Sequence, residues 1–110
     1  MKKGVPFFLQ SKEDAHQYYI QAIAGFKELI SIPDNSSLEE ELKEDLGIGF
    51  SDIHLKEKAI RVFWYATYYV EYAIEAELSL LNIVGDEIGI YVYVMDKEGN
   101  GIDDRISFFE

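Results

Sequence analysis

The side chains best suited to chemistry are few and scattered. The chain carries two histidines, His16 and His54, and no cysteine. Without cysteine, disulfide frameworks, zinc–thiolate centres and thiol nucleophiles are excluded. His16 follows Glu13 by three residues, which puts both on one face of a helix and would suit a metal. A Glu-x-x-His centre draws on a second copy and further carboxylates, and none stands at matching spacing. No serine sits in a nucleophile-elbow context. Gly47-Ile48-Gly49-Phe50-Ser51-Asp52 lacks the third glycine of a dinucleotide fingerprint and follows no predicted strand, so it reads as a joint. Asp96-Lys97-Glu98-Gly99-Asn100-Gly101 opens like a calcium loop, but Asp103 falls where that loop needs an apolar residue and Ser107 where it needs glutamate. A hairpin turn accounts for the same residues. Asn35-Ser36-Ser37 fits the glycosylation pattern without a secretion signal to make it relevant. The expectation is a protein that is not an enzyme and holds no metal or cofactor.

Charge is the chemistry that stands out. Ten basic against twenty-one acidic residues give a net charge of −11 at pH 7. Such a balance argues against nucleic acid and anionic membranes as ligands, because both call for clustered lysine and arginine. It favours solubility and a basic protein partner. Between Arg61 and Lys97 there is no basic residue, while Glu71, Glu75, Glu77, Asp86, Glu87 and Asp96 all fall in that interval. In an extended chain, Glu71, Glu75 and Glu77 stand in a row beside Tyr65 and Tyr69. Tyrosine offers a stiff contact surface at low entropic cost, and carboxylates steer a basic partner. A second acidic run, Leu38 to Leu46, places Glu39, Glu40 and Glu41 favourably at a helix N-terminus, but Glu44 and Asp45 unfavourably near its C-terminus. Glu40 and Glu44 therefore join Tyr65, Tyr69, Glu71, Glu75 and Glu77 as candidate partner-binding residues. The competing reading makes both acidic runs ordinary solvated faces.

These residues need elements to position them. Ser11-Lys12-Glu13-Asp14 is a capping-box-like start, and Ala15, Tyr19, Ala22, Ile23, Phe26 and Ile30 recur at steps of three and four up to Pro33. The spacing predicts an amphipathic helix over 12–31, with Gly25 inside it marking a close approach. Asp34 to Ser37 reads as a turn and second N-cap, followed by a short helix over 38–46 that Gly47 ends. Residues 61–81 fit period two better than a helix. Val62, Trp64, Ala66, Tyr68, Val70, Tyr72, Ile74, Ala76, Leu78 and Leu80 form an apolar face, and every charge falls on the other. About twenty residues at ~3.3 Å each would be too long for one straight strand. The stretch is expected either to bend at a bulge near residues 69–72 or to be helical up to Tyr68 and extended thereafter. Residues 82–86 read as a turn, and 87–96 and 102–109 as a hairpin joined by a Gly-rich turn.

The expected fold is α+β: two N-terminal helices packed on a curved antiparallel sheet of three to four strands built from residues 58–109, forming a single domain over 1–110. The apolar run Val5–Leu9, interrupted by Pro6, is too short for a signal-peptide core or membrane span, which points to a cytoplasmic location. The ending IGIYVYVMDKEGNGIDDRISFFE resembles the C-terminal hairpin of small acidic bacterial immunity proteins, which neutralise toxins of interbacterial competition. The resemblance covers about a fifth of the chain and transfers no individual residue. It implies an inhibitor that occludes a basic toxin or nuclease domain. Two alternatives stand beside it. One is a ligand-binding or enzymatic domain with a pocket lined by Trp64, Tyr68 and Tyr72 between sheet and first helix. The other is a homo-oligomeric structural subunit, such as a homodimer, that covers the tyrosine-rich face with its own copy.

Overall fold

The computed structural model describes residues 12–32, 35–64 and 72–109. In chain order the elements are α1 (Lys12–Ser31), α2 (Ser36–Leu46), a single 3-10 turn at Phe50–Asp52, β1 (His54–Trp64), β2 (Tyr72–Leu81), β3 (Glu87–Asp96) and β4 (Gly101–Phe108). The two helices pack against one antiparallel sheet of strand order β1-β2-β3-β4, which does not close. This is the α+β architecture that the sequence pattern implies.

α1 has the predicted bounds and buries the predicted stripe. Tyr19, Ala22 and Phe26 are buried, with Ala15, Ile23 and Ile30 packed beside them, and the stripe is wide enough to take in Tyr18 and Leu29 as well. The Ser11 cap lies outside the described residues. Gly25 is where α1 crosses β3: a β-carbon there would lie 2.7 Å from the Tyr93 ring and 2.8 Å from the Tyr91 hydroxyl oxygen. Glycine is needed for closeness, as its place inside a helix implied. Phe26 meets Tyr91 edge-on, ring centroids 5.5 Å apart.

Asn35 holds the N-cap position of α2, but its side chain makes no cap bond there. Its side-chain nitrogen instead donates to the Leu29 carbonyl at 2.8 Å, at the end of α1, where the Ile32 amide reaches the same acceptor only at 3.4 Å. α2 ends at Gly47 in the left-handed region (φ 71°), as its sequence implied. The joint that follows is pinned rather than loose. Asp52 accepts the Gly49 amide at 3.0 Å, and Glu39, reaching back from α2, accepts the Phe50 amide at 2.8 Å.

The largest correction concerns residues 61–81. They are not one bent strand, and 59–64 is not helical. β1 begins at His54, earlier than expected, and the chain reverses between Trp64 and Tyr72, which are cross-strand partners. Reversal resolves the length problem, since each strand then spans only ~35 Å. It also preserves parity: Ile60, Val62 and Tyr72 pack with Ile74, Ala76, Leu78 and Leu80 on the helix side, where the odd-numbered Leu55 joins them from beyond a register shift. Two strands carry the even-numbered apolar face, and its members Ala66, Tyr68 and Val70 lie outside the described residues. A register shift at Lys58 interrupts β1. Tyr91 and Met95 of β3 complete the core.

Both described turns of the sheet use one device. Asn82 Oδ1 accepts the amides of Val84 and Asp86 at 3.1 and 2.9 Å, and Asp96 Oδ1 accepts those of Glu98 and Asn100 at 2.9 Å each. Gly85 (φ 93°) and Gly99 (φ 87°) supply the left-handed residue in each. The carboxylate of the calcium-like motif is thus engaged by backbone amides, and Asp96 is held below its ordinary 3.8 chiefly by the Asn100 amide.

Candidate protein-binding surfaces

Two surfaces concentrate acidic side chains, and they are built differently. The first is the sheet face turned away from α1. Cross-strand register lays out its rows as Arg61–Glu75–Val94–Asp103, Ala59–Glu77–Val92–Arg105 and Lys56–Ser79–Ile90–Ser107. Glu75 and Glu77 share this face, as the sequence pattern predicted. Tyr65, Tyr69 and Glu71, also assigned to it, lie outside the described residues.

This face is compensated. The Arg61 guanidinium bonds Glu77, which is only 5% exposed, and Lys58 Nζ stands 4.0 Å from the same carboxylate. Lys58 also pairs with Glu87 at 2.9 Å, and Arg105 reaches Glu75 at 3.3 Å. The Ser79 hydroxyl and then Lys58 hold Glu87 below its ordinary 4.5. Ala73, Val92 and Val94 are buried among these groups. The basic-free interval of the sequence is thus neutralised by cations that lie outside it, on β1 and β4, and brought in by strand pairing. Glu75 and Glu77 are braces of the sheet more than a free acidic row.

The second surface lies between α2 and the end of β4. Leu38, Glu41, Leu42, Asp45 and Leu46 of α2 face Ile106, Ser107, Phe108 and Phe109 across a cleft of about 560 Å³. The helical spacing of these five residues is one stripe, with leucines forming the floor and two acids the rim. Leu42 is buried, while Leu46 and Phe109 remain well exposed. Among the described residues, Glu40, Glu41, Glu44 and Asp45 make no ion pair. Of the sequence-predicted pair on this helix, Glu40 and Glu44 are exposed one turn apart but do not line the cleft. Glu41 and Asp45, which do, were missed as site residues. The signal available was their interleaving with Leu38, Leu42 and Leu46.

Further features bear on function. His16 Nδ1 lies 3.1 Å from Glu57 Oε2, so its partner comes from β1 rather than from Glu13. Among the described residues no group of three or more potential metal ligands gathers. Ile83 and Val84 stand 80% and 75% exposed at the β2–β3 turn, where the equivalent turn carries Lys97 and Glu98. Trp64 and Tyr72 touch with centroids 5.0 Å apart. Side chains of α1 pack on the sheet where a ligand pocket would open, and Tyr68 lies outside the described residues. Among the described residues no helix is long and apolar enough to cross a membrane.

Comparison of the chain with protein-family models, with curated proteins and with solved structures finds no match.

Proposed function

We propose that this chain is a small protein-binding inhibitor, which captures a basic protein such as a toxin or nuclease domain and acts by occluding it, without catalysis. The role is that of the immunity proteins its C-terminal hairpin resembles. One observation carries the reading: the α2–β4 cleft combines an apolar floor with Glu41 and Asp45 at its rim, on a helix whose other acids have no ion-pair partner among the described residues. Apolar floor and charged rim are the anatomy of a protein interface, in which the core supplies affinity and the rim steers encounter. A net charge of −11 adds long-range attraction for a basic partner. Glu44 and Asp45 also oppose the helix dipole, a cost to folding that a binding role explains.

The test is calorimetric titration with a panel of basic nuclease and toxin domains and a matched panel of acidic domains. Binding confined to basic domains, weakening steeply with salt, is the expected result. Equal binding to both panels, or to neither, would refute the reading.

A further inference from the structure

The reading above names a surface and a class of partner but no mode of recognition. Among the described residues β4 is an edge strand, paired on one side only, with β3. From Asp103 to Phe108 it pairs regularly with Val94 to Gly89, without a register shift. The Phe109 amide donates to the Ile88 carbonyl at 2.8 Å, so Phe109 points its backbone toward β3. Backbone direction alternates along an antiparallel strand, so Ile106 and Phe108 point their N–H and C=O groups the other way, off the sheet edge. Among the described residues no backbone group pairs with them. The same two residues line the α2–β4 cleft. A second groove, of about 390 Å³, adjoins the other half of the strand at Gly101, Ile102, Asp103 and Asp104.

We propose that β4 is an acceptor edge, onto which an extended, lysine- or arginine-bearing segment of the partner adds as a fifth strand, its α2-facing side chains meeting Leu42, Leu46, Glu41 and Asp45. This rests on the reading given under the proposed function and specifies how that site binds. Main-chain bonds to an open edge supply affinity, and alternate side chains supply selectivity. Charge fixes the occupant. Among the described residues, Asp103, Asp104, Glu41 and Asp45 line the two grooves beside β4, whose own sequence carries one cation, Arg105. The opposite edge, β1, carries Lys56, Lys58 and Arg61 and is broken by the shift at Lys58, which are devices that protect an edge from pairing. A second copy of this chain is disfavoured, because two molecules of charge −11 would bring their acidic rims together.

The probe is an alternating Lys–Val octapeptide, blocked at both ends. It is compared with a version N-methylated at alternate residues and with a helical Leu/Lys peptide of equal charge. Amide hydrogen exchange is followed by NMR on the full chain. At saturation the Lys–Val peptide slows exchange at Ile106 and Phe108 by at least about tenfold. N-methylation on the pairing edge weakens binding about tenfold or more, and E41K/D45K weakens it as well. Three results overturn strand addition while leaving the proposed function intact. They are binding with both amides unprotected, preference for the helical peptide, and failure of the Lys–Val peptide where basic domains still bind. Failure of the peptides and of every basic domain overturns both. Concentration-dependent protection without peptide would assign the edge to a second copy and overturn the proposal.

Discussion

Glu77 and Asp45 are both acids in an acidic protein, but their surroundings differ in a way that separates framework from function. Glu77 is buried on the sheet and braced by Arg61 and Lys58. Asp45 stands exposed at a cleft with no cation paired to it among the described residues. Charge is informative about a partner only where the fold has not already answered it. By that criterion the β2 acids belong to the sheet, and those of α2 are available.

The comparison can be broken first on the sheet. Arg61→Ala leaves a nearly buried carboxylate with Lys58 as its remaining described cation, and is expected to lower the urea unfolding midpoint clearly, with no loss of partner binding. An unchanged midpoint would mean that the brace is ornamental and Glu77 is available after all. A loss of about 1–3 kcal/mol is expected for Gly25→Ala, through overpacking against Tyr93 and Tyr91. This variant controls for destabilisation that has nothing to do with charge.

Acid titration sharpens the contrast. Glu87 and Asp96 are held below their ordinary 4.5 and 3.8 in the folded protein. A depressed folded pKa contributes stability that is present above the unfolded value and lost as pH falls through the folded one. Thermal unfolding should therefore show stability declining below about pH 4.5, with a shallower decline in Glu87→Gln and in Asp96→Asn. An unchanged slope in both variants would contradict the assigned hydrogen bonds.

The smallest effect is expected on α2 and has the opposite sign. Glu44→Gln and Asp45→Asn remove negative charge from a helix C-terminus, and each should raise stability by about 0.3–1 kcal/mol. Destabilisation by either would show that these acids are structural.

Much of the fold was legible because it is local. α1 announced itself through its apolar spacing, Gly47 and the two Gly-bearing turns through backbone chemistry, and Gly25 through its cost inside a helix. The reversal between Trp64 and Tyr72 was not legible, since cross-strand partners eight positions apart, an even step, continue one period-two pattern unbroken. The site was legible in part. The alternation placed Glu75 and Glu77 on one face but could not show Lys58, Arg61 and Arg105 meeting those acids and their neighbours, because strand register decides that. Glu41 and Asp45 were passed over for the same reason: only the arrival of β4 opposite α2 makes their stripe a cleft.

The most direct measurement is a side-by-side calorimetric titration of E41K/D45K and E75Q/E77Q against a basic domain that binds the parent chain. Reversal on α2 is predicted to weaken binding by about a hundredfold while leaving the fold stable, and neutralisation on the sheet to change it less than about threefold. The reverse pattern, with binding lost on the sheet variant while its folded state persists, would contradict the account.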